Sequence, residues 1–231
     1  KQTSPTVWVF KLRKAKFSDG RPVTSEDVKW TLEQIAAEGS TAFLKNEFKG
    51  VERIETPDAE TVRIVMKQPT ATLPVWLASP HAPIVAKGST DGGALGVGAG
   101  PFVIKAQERG VSIDVAASET YYKPGMPKVA GIRLVAYADE NLRVAALQAG
   151  DVDLIEYVPW QHMAAIEKDP KLKLDAADGP FMALNFNGET GPFKDRRLRQ
   201  AVAFAIRREE IVEAAFFGRG RPLTGLPIQA S

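Results

Sequence analysis

The chain has no cysteine. That excludes thiol catalysis, disulfide staples, zinc–cysteine sites and iron–sulfur clusters. It leaves the compartment open, because a cysteine-free chain suits a bacterial cell envelope as well as a cytosol. Histidine is scarce. His81 and His162 stand far apart in the sequence, with no paired carboxylate at ligand spacing, so no metal site is expected. An excess of one charge is missing too: 30 basic residues against 28 acidic leave a formal charge of +2. The signs are mixed along the chain, whereas nucleic-acid binders cluster Lys and Arg on one face or helix. No apolar run is fit to span a bilayer. The longest uncharged stretch, Gln68 to Ala86, has 19 residues but contains Pro69, Pro74, Pro80 and Pro83. Four prolines would break the helix that a span requires, so the stretch reads as a buried, proline-punctuated segment. Lys1 is followed by polar Gln2, Thr3 and Ser4 rather than an apolar leader, and reads as a processed, engineered or truncated start. Internal repeats and low-complexity segments are absent, as are the Walker A, nucleophile-elbow and HExxH patterns.

The rest of the composition is that of a globular protein. Hydrophobic residues make up 44% and charged residues 25% of the 231, which excludes wholesale disorder. A domain near this size removes about 70% of its chain surface from water. Residues 7–13 alternate as a strand, with Trp8, Phe10 and Leu12 on one face. Thr24 with Asp27 three residues on is a capping-box-like start for a helix over 25–38, with Gly39 as its stop. Residues 51–67 read as a hairpin turning at Pro57–Glu60, and a second hairpin turns at Arg109–Gly110. Between the hairpins, residues 88–101 form the clearest composition shift and a candidate domain boundary. Gly93, Gly96, Gly98 and Gly100 lie there at spacings that fail the GxGxxG pattern, so the run reads as a hinge-type crossing loop. Residues 131–156 resemble a βαβ unit, with Asp139 as N-cap, Gly150 as stop and 152–155 as the second strand. A short helix over 160–168, a buried strand over 181–187 and two closing helices over 195–206 and 208–217 complete the pattern.

A few residues invite a functional reading. Trp160, after Pro159, is either a core plug or the wall of a pocket. Asn185 and Asn187 alternate with Leu184 and Phe186 where strands are depleted in Asn, so their amides either satisfy backbone groups at a junction or face a ligand. Asp151 and Asp153 would share a strand face, and paired carboxylates can do acid–base chemistry. A capping role and a solvent-facing role explain them better. Arg196, Arg197 and Arg199 read as a solvated face or as ion-pair partners.

Taken in order, these elements resemble family 5 extracellular solute-binding proteins, the oligopeptide, dipeptide and nickel-binding group of ABC importers. The family pattern is a strand ending in Leu-Arg, then Phe-x-Asp-Gly, a Pro and a Thr-x-x-Asp-Val helix start. Leu12, Arg13, Phe17, Asp19, Gly20, Pro22, Thr24, Asp27 and Val28 match it. Gly98 to Phe102 is similar to the family's Gly-Thr-Gly-Pro-aromatic element, with Ala99 in place of Thr. Tyr121 to Leu134 is similar to its Tyr-x-x-Gly-x-Pro segment, and Ala146 to Leu154 to its Ala-Leu-x-x-Gly-Asp-x-Asp element. The strand with Asn185 and Asn187 and the helix with Arg199 and Ala201 follow as they do in the family.

The resemblance implies a mixed α/β, periplasmic-binding-protein-like fold. Family members are more than twice this length, so it also implies a partial two-lobe architecture. The family's extra small domain would fall at 1–97, part of the first lobe at 98–183 and the start of the second at 184–231. The implied function is the substrate-binding component of an ABC importer, periplasmic or extracytoplasmic. It would bind peptides or a similar small solute between lobes and pass the solute to the membrane permease. No enzyme activity, cofactor, metal or nucleic-acid partner is implied, and the protein is expected to be a monomer. Trp160 is expected as a pocket wall near the hinge, with Asn185 and Asn187 bordering the cleft. The alternative is the ligand-sensing domain of a transcriptional regulator.

Overall fold

Alternation of large apolar side chains along residues 7–12 builds the centre of the first sheet. Trp8, Phe10 and Leu12 pack together on the core, as their shared face predicts. Strand β2 (Val7–Lys11) lies antiparallel to β1 (Gln2–Ser4) and to β4 (Thr61–Met66), which pairs in turn with β3 (Val51–Asp58). The sheet order is β1-β2-β4-β3. The β3–β4 turn is closed by Asp58, whose Oδ1 accepts the Glu60 N–H at 2.9 Å. Helix α1 (Ser25–Ala36) lays Val28, Leu32 and Ile35 against Ile54, Val62 and Ile64 of this sheet. The short helices α2 (Lys45–Phe48) and α3 (Leu73–Leu77) close the same core with Phe48 and Leu73. The proline-punctuated segment therefore contributes a single helical turn and buried Leu73, Ala82 and Ala86. The structure, a computed structural model, describes residues 1–91, 95–177, 179, 181–223 and 225. Gly93 and the closing residues 226–231 lie outside them.

The described part of the glycine-rich run is tied down. Val85 and Gly98 form an antiparallel bridge, and the Ala86 N–H donates to the Val97 carbonyl at 2.9 Å. A Cβ on Gly96 would lie 2.8 Å from Cγ1 of Val85, which explains glycine there. A second antiparallel sheet follows, in the order β5-β6-β7: β5 (Phe102–Glu108), β6 (Ser112–Ala117) and β7 (Gly131–Val135). Gly110 turns the β5–β6 hairpin at φ +78°. The Thr120 hydroxyl donates to the Phe17 carbonyl at 3.0 Å, and the Ser18 N–H to the Gly98 carbonyl at 2.9 Å.

Two compact units result, Lys1–Ala136 and Tyr137–Ser231. Among its described residues the second is helical: α4 (Glu140–Ala149), α5 (Trp160–Lys168), a 3-10 turn (Pro192–Lys194), α6 (Arg196–Ala205) and α7 (Arg208–Phe216). Both predicted caps of α4 are present. Asp139 Oδ1 accepts the N–H groups of Asn141 and Leu142 at 2.7 and 3.2 Å, and Gly150 is left-handed at φ +82°.

Three expectations are corrected. β7 runs antiparallel to β6, and residues 152–155 form no strand, so no βαβ unit exists here. Residues 181–187 likewise form no strand, and Phe181, Met182 and Leu184 are exposed rather than buried. In both stretches the apolar pattern is present, but a ladder partner is missing among the described residues, and a strand is defined by its ladder. Gly39 is not the stop of α1, which ends at Ala36 with Ala37 as its C-cap.

Candidate ligand-binding site

The start of α5 carries two of the residues singled out from the sequence, Trp160 and His162. Pro159 precedes the helix as its N-cap, so the first helical residue, Trp160, is placed at a loop–helix corner. Its indole is 41% exposed and meets the Phe216 ring edge-on, with centroids 5.3 Å apart. The side chain is thus partly packed and partly exposed. At the other end of the helix, Glu167 pairs with Arg219, whose Nη1 lies 2.9 Å from Oε1. That guanidinium holds the Glu167 carboxyl below the usual carboxylate range. The two contacts tether α5 at both ends to the region around the end of α7.

Two residues before Pro159, the chain makes an unusual excursion. Tyr157 has a left-handed backbone at φ +56° and a side chain 81% exposed. A non-glycine residue in this region costs about 1–2 kcal/mol and persists only where its surroundings hold it. Arg143 of α4 does so: its Nη2 donates to the Tyr157 carbonyl at 2.9 Å. The Nε of Arg143 is buried without a hydrogen-bond partner in the described structure. Asn141 Oδ1 and His162 Nε2 lie 2.8 Å apart and join α4 to α5 beside this bond. Exposed Tyr157 thus lies on a loop held by Arg143, three residues before Trp160 at the start of α5. The sequence does not announce Tyr157, because nothing local marks a tyrosine for left-handed backbone. Only its place two residues before the Pro159–Trp160 corner hints at it.

The two asparagines lie in a different setting. Asn187 organises a turn. Its Oδ1 accepts the N–H groups of Glu189 and Thr190 at 3.0 and 3.2 Å, and its Nδ2 donates to the Thr190 hydroxyl at 3.0 Å. Asn185 is exposed, and Phe186 between them stacks obliquely on Phe193 at 4.9 Å. No hydrogen bond or ring contact joins either asparagine to Trp160 among the described residues. Asp151 and Asp153 are exposed and share no strand. In the arginine run, Arg197 pairs with Asp195 at 2.7 Å and Arg199 donates to the Phe193 carbonyl at 2.6 Å, which are structural roles. Among the described residues no three His, Asp or Glu side chains are placed to hold a metal, and no helix is long and apolar enough to cross a membrane.

Exposed aromatic side chains next to a braced loop can contact a small molecule without covalent chemistry. Comparison with known proteins gives the chain's family. The PBP AgaA of A. tumefaciens, solved with agropinic acid, is 41% identical with a TM-score of 0.89, over 99% of this chain and 48% of that one. The PBP/SBP MoaA of the same species, solved with mannopinic acid, is 26% identical with a TM-score of 0.78, over 93% of this chain and 45% of that one. Glutathione-binding protein GsiB of Escherichia coli is 28% identical over 227 residues, which is 95% of this chain and 44% of that protein. The chain thus spans about half the length of the relatives it matches. The family model of the bacterial extracellular solute-binding proteins, family 5 Middle, matches residues 1–231, and the chain belongs to that family.

Proposed function

We propose that this chain forms part of the substrate-binding component of an ABC importer. In this reading it works outside the cytoplasm as a monomer, encloses a small solute between two lobes and presents it to the membrane permease. It binds without catalysing a reaction and takes no nucleic acid. Residues 1–97 correspond to the family's extra small domain, 98–183 to part of the first lobe and 184–231 to the entry into the second. The observation that carries the reading is the 41% identity to AgaA across 99% of the chain. It moves the ligand from the peptide expected from sequence toward a small organic acid of the agropinic-acid kind. Tyr157 and Trp160 supply apolar walls for such a ligand, and Arg143 is a positioning residue that holds Tyr157 in place. Asn185 borders the site, as does Asn187, whose side chain also builds the 187–190 turn.

The test is calorimetric titration of a family-length polypeptide containing this chain with agropinic acid, mannopinic acid, glutathione and a tetrapeptide. Agropinic acid is expected to bind most tightly. Tyr157→Ala and Trp160→Ala are each expected to weaken it about tenfold or more, the worth of one aromatic contact. Tight binding of the tetrapeptide alone would return the ligand class to peptides. Unchanged affinity in both variants would remove the aromatic pair from the site.

A further inference from the structure

Asn187 differs from the other asparagines of the chain in its neighbour. Asn46, Asn141 and Asn185 precede Glu47, Leu142 and Phe186, whereas Asn187 precedes Gly188. A glycine has no side chain to shield its own nitrogen, so that nitrogen can approach the preceding amide carbon. Asn187 and Gly188 are both exposed, and water reaches them. The Gly188 N–H has no hydrogen-bond acceptor among the described residues, whereas the N–H groups of Glu189 and Thr190 both donate to Asn187 Oδ1, at 3.0 and 3.2 Å. The bond from Glu189 closes a ring that contains the Gly188 nitrogen and Asn187 Cγ, which keeps the two near each other. The paired donors also face the oxygen on which negative charge develops when Cγ is attacked, the arrangement of an oxyanion hole.

We propose that Asn187 is a site of spontaneous deamidation, a covalent modification promoted by its own turn. The Gly188 nitrogen attacks Asn187 Cγ. A bond forms between them, the Cγ–Nδ2 bond breaks, and Nδ2 leaves as ammonia with the proton that the Gly188 nitrogen gives up. The product is a cyclic succinimide. Water then adds across one of its two carbon–nitrogen bonds. Opening at Cγ gives aspartate. Opening at the Asn187 main-chain carbonyl gives isoaspartate, in which the main chain runs through the former side chain. Either product sets a negative charge where the amide stood and removes Nδ2, the donor to the Thr190 hydroxyl. Isoaspartate also lengthens the main chain within the 187–190 turn, so the bonds from Glu189 and Thr190 are lost. The modification is independent of which solute is bound.

The test is timed incubation of a family-length polypeptide containing this chain, followed by peptide mapping in a mass spectrometer. Conversion of amide to acid is expected about tenfold or more faster at Asn187 than at Asn46, Asn141 or Asn185. Aspartate and isoaspartate should both form, each carrying oxygen from isotopically heavy water. The rate should rise with pH, because the attacking nitrogen must lose its proton. Conversion should be no slower in the folded protein than in the chain unfolded in urea, because the turn already holds the amide oxygen on two donors. Gly188→Ala is the decisive variant. A Cβ there meets nothing nearer than Arg199 Nη1 at 4.0 Å, and the residue is not left-handed. The melting temperature should therefore stay within about 2 °C of the parent, while conversion at Asn187 slows about tenfold or more. Conversion confined to the unfolded chain overturns the proposal. So does a rate at Asn187 equal to that at the other asparagines, and so does a rate that Gly188→Ala leaves unchanged.

Discussion

Asp27 joins the start of α1 to the segment that leaves the proline-rich stretch. Its Oδ2 accepts the Thr24 N–H and hydroxyl at 2.9 and 2.6 Å, and its Oδ1 accepts the Lys87 N–H at 2.9 Å. Burial works to raise its pKa, but the hydrogen bonds from Thr24 and Lys87 prevail and hold the carboxyl below its ordinary 3.8. The folded chain therefore binds this proton more weakly than the unfolded chain. The resulting stabilisation is complete above 3.8 and is lost as pH falls below it, through the lower folded value. Asp27→Asn is expected to cost about 1–2 kcal/mol at neutral pH. It should also flatten the acid limb of a melting-temperature titration. An acid limb as steep as the parent's would assign that limb to other carboxylates. Tyr157 makes the opposite kind of prediction. Tyr157→Gly relieves the left-handed backbone, so thermal melting should show no loss of stability while ligand affinity falls.

At the scale of elements, glycines separate space from backbone conformation. At Gly96 the constraint is space: a new Cβ would press on Val85 Cγ1 at 2.8 Å and on Thr90 Cγ2 at 3.0 Å. At Gly150 it is conformation: nothing lies within 4 Å, but the residue is left-handed at φ +82° where α4 ends. Gly98 has neither constraint. Denaturant unfolding should therefore show Gly96→Ala costing about 1–3 kcal/mol through overpacking and Gly150→Ala about 1 kcal/mol through strain. Gly98→Ala should lie close to the parent. A cost at Gly98 as large as at Gly96 would contradict the steric account. The same scale explains the missing strands. α4 and α5 close their own hydrogen bonds, while 152–155 and 181–187 can become strands only if another segment supplies a ladder.

For the whole molecule, extent decides what can be measured. The chain covers less than half of AgaA and GsiB. A binding surface made of one side of a site buries less of a ligand and gains nothing from closure. Residues 1–231 alone are accordingly expected to bind no ligand of the proposed class at micromolar or tighter affinity, whereas a family-length polypeptide should. Calorimetry on both settles the point, and micromolar binding by the shorter chain would locate a complete site within it.

What was legible in the sequence was what local chemistry decides. The shared face of Trp8, Phe10 and Leu12, the Thr24–Asp27 box, both hairpins, the Asp139 and Gly150 caps and the extent of α5 all rest on side chains within a few residues of the backbone they direct. The order of the family's short motifs was legible for the same reason. Only the tertiary structure decided that β7 joins β6 antiparallel, that Arg143 braces Tyr157 across fourteen residues, and that Gly96 must leave room for Val85. Each of these depends on a partner far along the chain, and neither propensity nor periodicity encodes which distant group will arrive to complete a ladder, accept a hydrogen bond or fill a space.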